Sequence, residues 1–221
     1  MHKITVICLI GVFTSSLMAS STVYVTRTNG CYSGSGGEFT LTPTGVAGLT
    51  DGVSIETFCV EYSEHIYMND TYDAVVNTKA MNGGVTPAGT GDPIDPKTAF
   101  LYNSFLDGTL TGYNYTPGTG REASAKALQD VIWYIEDERS QTWTTNDNSL
   151  QDIFYREALS CGWTDIGSVR VLNLTQNGQL RQDQLCRLNT YKMNTVPAPG
   201  AVLLGGIGVS LVGWLKRKKA V

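Results

Sequence analysis

The sequence predicts an α+β fold, a β-sandwich or barrel with an inserted helical subdomain, between an N-terminal signal peptide and a C-terminal transmembrane helix. Two observations support this fold class. Strand-like segments rich in Thr, Val, Tyr and Phe precede and follow a region of helical periodicity. Both ends of the chain carry apolar targeting-type segments, which divide it into residues 1–20, 21–193 and 194–221.

The N-terminal end has the layout of a secretory signal peptide. His2 and Lys3 precede an apolar segment, Ile4–Phe13, and small residues follow it. This order is typical of a signal that is removed on export, here between Ala19 and Thr22. We therefore expect an exported mature protein.

Strands are predicted at both ends of the exported region. They are rich in β-branched and aromatic residues and are bounded by Gly or Asn clusters. A Gly- and Pro-containing stretch, Asn82–Pro93, separates the first group from the helices. The predicted strands are Thr22–Arg27, Glu38–Thr42, Val53–Ile66, Tyr72–Val76, Val169–Leu174 and Arg187–Tyr191.

Three helices are predicted between these strands. Asp95 and Pro96 provide an N-cap and a first-turn proline for Lys97–Asp107. Ser149 is the expected N-cap of Leu150–Ser160. The longest helix, Arg121–Arg139, is expected to bury a wide apolar face because its apolar residues recur at spacings near 3.6: Ala123, Ala127, Leu128, Val131, Ile132 and Ile135.

Composition and charge limit the possible functions. The chain is 42% hydrophobic and 10% aromatic, which favours a packed core over a disordered stalk. Removing Lys3 and the four basic tail residues from the 16 Lys and Arg leaves 11 against 20 Asp and Glu, a net charge of −9 for the exported part. Such a surface repels polyanions, so we expect no nucleic-acid partner.

The C-terminal segment combines a proline motif, an apolar run and a basic end. The apolar run Gly200–Leu215 would span about 24 Å as a helix, against a hydrocarbon core of about 30 Å. The basic cluster would stay on the cytoplasmic side of a membrane. The motif residues are Val196, Pro197, Ala198 and Pro199, and the basic residues are Lys216, Arg217, Lys218 and Lys219.

This order of parts resembles the PEP-CTERM sorting signal of bacterial surface proteins, in its VPAP variant, with Ala198 where the family usually has Glu. The resemblance implies processing by an exosortase-like enzyme. It also implies a protein held at the cell envelope through its C-terminus, then released or transferred to the extracellular matrix.

Cysteine usage leaves several pairings open. Cys8 lies in the predicted signal peptide, and Cys31, Cys59, Cys161 and Cys186 lie in the exported part, where disulfides can persist. Four cysteines allow three complete pairings, and one of these joins Cys59 to Cys31.

Two short motifs carry the predicted chemistry. Phe58-Cys59-Val60 lies in a predicted strand, where alternation sends Cys59 to the face opposite Phe58 and Val60. Leu128-Gln129-Asp130-Val131-Ile132-Trp133 lies on the long helix. Together these motifs resemble those of the thioester domains of bacterial surface adhesins. The alternative is that Gln129 is an ordinary solvated helix residue.

The resemblance implies an internal thioester between the Cys59 thiol and the Gln129 side chain, formed with loss of ammonia. A thiol is a strong nucleophile as the thiolate, and the resulting acyl group would react with an amine of a surface or matrix protein. This reaction has no turnover, so we expect no enzyme activity. If the thioester consumes Cys59, the preferred disulfide is Cys161–Cys186, with Cys31 left over.

Other function classes remain open. One is a disulfide-stapled module that binds a carbohydrate or matrix ligand without a covalent bond, and another is a hydrolase that uses two acidic residues. The sequence indicates no cofactor and no metal. His65 is the only histidine after the signal peptide, and Glu136-Asp137-Glu138 is interpreted as a solvated acidic helix end.

Overall fold

The computed structural model describes residues 20–34, 36–81 and 90–189. The predicted signal peptide up to residue 19 and the predicted sorting segment from residue 194 lie outside the described residues. Within the described ranges, no helix is both long enough and apolar enough to cross a membrane.

The described residues form a mixed helix and strand fold, with a curled antiparallel sheet and three helices. The helices follow the first eight strands and precede the last two. The strands are β1 (Thr22–Thr26), β2 (Tyr32–Ser33), β3 (Gly36–Gly37), β4 (Phe39–Thr44), β5 (Ile55–Thr57), β6 (Asp70–Asn77), β7 (Lys79–Ala80), β8 (Asp92–Pro93), β9 (Val169–Gln176) and β10 (Gln179–Arg187). The helices are α1 (Pro96–Leu106), α2 (Thr119–Ile135) and α3 (Leu150–Ser160).

Six strands form the main sheet in the order β10-β9-β6-β1-β4-β5. The sheet curls so that its two edge strands approach each other. Just after β5, Cys59 forms an isolated antiparallel bridge with Gln184 of β10. The Leu185 N–H donates to the Phe58 carbonyl at 3.0 Å, and the Val60 N–H donates to the Asp183 carbonyl at 3.1 Å. Cys59 therefore lies where the two edges of the curled sheet meet.

The predicted helices are confirmed, with ends that differ by a few residues. Asp95 caps α1 by accepting a hydrogen bond from the Lys97 N–H at 2.7 Å, and Pro96 is the first helical residue. The Ser149 hydroxyl caps α3 by accepting from the Asp152 N–H at 3.2 Å. The long helix α2 ends at Ile135, four residues before the predicted end.

Two strand predictions are wrong in extent. The predicted strand Val53–Ile66 contains only the three residues of β5 and the bridge at Cys59. Strand β10 ends at Arg187, where the predicted strand Arg187–Tyr191 begins; Leu188 and Asn189 are outside any strand, and residues 190 and 191 lie outside the described residues. The sequence of β10, QLRQDQLCR, has no apolar alternation, and its polar side chains are buried through hydrogen bonds rather than through hydrophobic packing.

The core has two parts. One lies between the sheet and the helices and includes Phe58, Val60 and the fully buried α2 residues Leu128, Val131 and Ile132. The other lies on the inner side of the curled sheet and includes Cys59 and Trp133 together with residues of β1, β4, β6, β9 and β10. Cys59 thus points away from Phe58 and Val60, as predicted, and its side of the chain is also buried.

Candidate functional site

The two predicted site residues lie in direct contact. The Cys59 Sγ atom is 3.2 Å from the Gln129 Oε1 atom, in hydrogen-bonding geometry with the thiol as donor. Cys59 is fully buried and Gln129 is 1% exposed. The interpretation of Gln129 as a solvated helix residue is therefore wrong.

The backbone of Cys59 holds the Gln129 carboxamide at both ends. The Cys59 N–H donates to Gln129 Oε1 at 3.2 Å, and Gln129 Nε2 donates to the Cys59 carbonyl at 2.7 Å. These two bonds fix the plane of the carboxamide and assign its oxygen and nitrogen. The oxygen, and with it the carbonyl group, faces the thiol.

Local structure explains why these two groups meet. The isolated bridge to Gln184 leaves the peptide groups of Cys59 outside a regular ladder, so they are available to the Gln129 side chain. On α2, Gln129 and Trp133 are one helical turn apart and share the face that points into the curled sheet. The Trp133 Nε1–H donates to the Glu61 carbonyl at 3.2 Å, which ties the same helix face to the segment after Cys59.

Burial controls the electrostatics of the thiol. Burial raises the pKa of the Cys59 thiol well above its ordinary value, so the group is neutral at physiological pH. The proton must therefore leave sulfur as a bond to carbon forms. The Cys59 N–H that donates to Oε1 is positioned to stabilise negative charge on that oxygen during such an attack.

A buried polar network lies behind the site. The Glu61 carbonyl also accepts from Gln182 Nε2 at 2.8 Å, and the Glu61 carboxylate accepts from the Asp183 N–H at 2.8 Å. The Asp183 carboxylate accepts from the N–H groups of Met81 and Leu174. Burial raises the pKa of Asp183 to about 6. This network holds β10 against the segment that carries Cys59.

A glycine allows the short strands β2 and β3 to cover Gln129. A Cβ atom at Gly36 would lie 2.7 Å from Trp133 Cη2 and 2.8 Å from Gln129 Cγ, closer than real Cβ contacts allow. Only glycine therefore fits this approach without a shift of its neighbours.

Two cavities lie beside Trp133. One of about 180 Å³ is lined by Gln129 together with Lys126, Asp130 and Arg139. The other, of about 730 Å³, is lined by exposed Tyr67 and His65 among other residues. The rings of Tyr62 and Trp133 lie 5.0 Å apart, and both residues line both cavities.

An ion pair that the sequence analysis missed fixes the start of α2. Arg121 donates to both carboxylate oxygens of Glu38, at 2.7 and 2.6 Å, and to Glu56 at 2.8 Å. The Tyr113 hydroxyl donates to Glu38 at 2.6 Å. The hydrogen bond with Glu38 raises the pKa of Arg121, so its charge is permanent. No local pattern signals this pair, because its members are far apart in sequence.

The predicted disulfide is not formed. Cys31, Cys59, Cys161 and Cys186 are all free thiols in the structure. Cys186 is buried in the inner core of the curled sheet, whereas Cys161 is the partly exposed C-cap of α3, a helix that packs on α1 and α2. The pairing of Cys59 with Cys31 is likewise absent.

The acidic helix end Glu136-Asp137-Glu138 differs from its interpretation at Glu136, whereas Asp137 is exposed. Glu136, the C-cap of α2, is buried, and its carboxylate accepts from the Asp95 N–H at 3.1 Å. Burial raises its pKa to about 8. Among the described residues, no group of three or more His, Cys, Asp or Glu is arranged to hold a metal ion.

Comparisons of this chain with protein-family models, with curated proteins and with solved structures gave no match.

Proposed function

We propose that this chain is an exported, envelope-anchored adhesin or matrix protein that forms an internal thioester between Cys59 and Gln129. The observation that carries the proposal is the 3.2 Å contact between the thiol and a carboxamide clamped by the Cys59 backbone. Side-chain packing by itself does not require a cysteine thiol to contact a clamped glutamine carboxamide. Both groups are also buried, which protects a thioester from hydrolysis.

The arrangement supports a direct route to this bond. The Cys59 sulfur attacks the Gln129 side-chain carbonyl carbon, and the Cys59 N–H stabilises the developing oxyanion. The C–N bond then breaks, the thiol proton passes to the departing nitrogen, and ammonia is released. Holding the two reactants in contact can be worth an effective concentration of about 10⁵–10⁸ M.

The thioester would then react once with an amine of a surface or matrix protein. The amine nitrogen takes the place of sulfur on the Gln129 carbon, which leaves an amide and a free Cys59 thiol. Because the product is stable, the protein acts as a single-use covalent linker, with no enzyme turnover and no cofactor.

The location of the protein is proposed from the sequence of its two ends. The signal peptide would export the chain, and an exosortase-like enzyme would act at Val196–Pro199. Gly200–Leu215 and the basic tail would anchor it in the membrane until release or transfer to the matrix. In this proposal the region 21–193 is one thioester-type domain, a β-sandwich or barrel with an inserted helical subdomain.

Deletion of 196–221 is expected to release the protein into the medium, and retention in the membrane fraction would contradict the sorting proposal.

Intact mass tests the thioester directly. The full chain, purified in detergent, is expected to be lighter than its sequence by one ammonia after any signal-peptide cleavage is accounted for. Methylamine should add to Gln129 and release one thiol at Cys59. Cys59→Ala should abolish both effects, whereas the matched control Cys161→Ala should retain them. An isopeptide between Gln129 and a lysine of this chain would keep the mass deficit and resist methylamine, and that result would contradict the proposal.

A second candidate is a non-covalent module that binds a glycan or matrix ligand. It is favoured by the cavity of about 730 Å³, whose lining includes several aromatic residues. Its disulfide-stapled form is not supported by the four free thiols. A full chain with no mass deficit that still binds its target would favour this candidate.

A further inference from the structure

The smaller cavity beside Gln129 contains a buried negative charge. Asp130 follows Gln129 on α2, lines the same cavity of about 180 Å³, and has a side chain that is 3% exposed. A buried carboxylate is costly unless cations or hydrogen-bond donors accompany it. Its partners therefore indicate what this cavity binds.

The partners of Asp130 include a primary ammonium group. Lys126 Nζ lies 2.7 Å from Asp130 Oδ2, Arg139 Nη1 lies 3.3 Å from Oδ1, and Gln151 Nε2 lies 3.3 Å from Oδ2. The Lys126 side chain is 59% exposed, so its ammonium can leave this position for solvent at little cost. The cavity thus contains a buried carboxylate paired with an exposed alkylammonium, next to the Gln129 side chain.

We propose that this cavity is the binding site for the incoming amine and that it takes a primary alkylammonium such as a lysine side chain. Asp130 binds the ammonium in place of Lys126 and accepts a proton from it. This inference rests on the proposed thioester, because the amine needs an acyl group to attack. It adds a recognition residue that neither of the two thioester motif positions supplies.

The proton balance assigns Asp130 a chemical role. An ammonium nitrogen loses two protons when it becomes an amide nitrogen. One proton goes to the Asp130 carboxylate and from there to solvent, and the resulting amine attacks the Gln129 carbonyl carbon. The carbon–sulfur bond breaks, and the second proton ends on the Cys59 thiolate. Proton transfer to a positioned carboxylate contributes about 10²–10⁴-fold to such reactions.

Two nucleophiles of different charge test the proposal in the full chain. Methylamine is a cation at neutral pH and should use Asp130, whereas hydroxylamine is neutral and should not. In Asp130→Asn, the mass deficit of one ammonia should persist. The methylamine rate should fall at least about tenfold, and the hydroxylamine rate should stay within about twofold. Asp137→Asn, an exposed position near the end of the same helix, is the matched control and should change neither rate.

If Asp130→Asn forms no thioester, a second variant still tests the proposed amine site. Lys126→Ala removes the competing ammonium, so methylamine should react faster while hydroxylamine reacts as before. Equal changes for both nucleophiles in either variant, or no change in both variants, would overturn the amine site. A wild-type chain without the mass deficit would overturn the proposed thioester and this inference together, and is recognised before any variant is measured.

Discussion

Among the buried polar groups of helix α2, Arg121 near its start and Gln129 in its middle make contacts that differ in charge. Arg121 is a permanent cation bound by the carboxylates of Glu38 and Glu56. Gln129 is neutral and contacts a neutral thiol.

This difference in charge corresponds to a difference in role. The Arg121 contact supports the position of the helix, and the Gln129 contact is proposed to react. A charged contact in the interior is expensive to break, so it holds the helix in register with the sheet. A neutral contact can exchange one bond for another without leaving a charge in the interior. The contact that holds the helix is thus charged, and the Cys59–Gln129 contact proposed to react is itself neutral.

The largest expected effect is the loss of the charged contact. Arg121→Met leaves the buried Glu38 carboxylate without its cation and should lower the free energy of unfolding by about 3–5 kcal/mol. Chemical denaturation monitored by circular dichroism measures this change. The control is Lys97→Ala, which removes a half-exposed ion pair with Asp95 and should cost less than about 1 kcal/mol. Equal losses in the two variants would contradict the comparison.

The next effect concerns pH and the far end of α2. Burial raises the folded pKa of Glu136 from 4.5 to about 8, so the folded state binds the proton more tightly than the unfolded state. The contribution of Glu136 to the free energy of unfolding is complete below about pH 4.5 and is lost as the pH rises through 8. The free energy of unfolding falls by up to about 1.4 kcal/mol per pH unit in this range.

Glu136→Gln should therefore be more stable than the wild type at pH 8 and similar to it at pH 4. Thermal unfolding across this pH range measures the difference. Glu122→Gln, in the first turn of the same helix, is the control and should follow the wild-type profile. A wild-type profile that is not altered by Glu136→Gln would show that this carboxyl is not the group that titrates.

A smaller effect is expected at Gly36, where the strands β2 and β3 contact Gln129. Gly36→Ala forces Trp133 or Gln129 to move and should cost about 1–3 kcal/mol from overpacking. It should also slow thioester formation, because the carboxamide shifts away from Cys59. Intact mass during expression follows the formation. Ser33→Ala in the neighbouring strand is the control, and an unimpaired mass deficit in Gly36→Ala would contradict the positioning role.

The smallest effect is expected for the neutral contact itself. In a Cys59→Ala background, which cannot form a thioester, adding Gln129→Ala removes the partners of two backbone groups of residue 59. The added cost should be about 1–2 kcal/mol. Denaturant unfolding of the single and double variants measures it. A cost as large as that of Arg121→Met would remove the distinction between the two contacts.

Local patterns in the sequence were sufficient to predict the helices and the direction of the Cys59 side chain. Caps such as Asp95 and Ser149 act within one turn, so their effect can be read from neighbouring residues. Alternation along the chain placed Cys59 opposite Phe58, because side-chain direction in an extended segment depends only on position. The contact between Cys59 and Gln129 was expected from a resemblance, and the structure brings the two residues together.

Tertiary structure alone decided the remaining features. The polar strand β10 is buried because Glu61 and other distant groups satisfy its hydrogen bonds, and no pattern within β10 signals this. The same reason applies to the Arg121–Glu38 pair and to buried Glu136, whose partners come from other elements. The sequence by itself therefore determined what depends on neighbouring residues, whereas the burial of charge and the state of the cysteines depended on groups that only folding brings together.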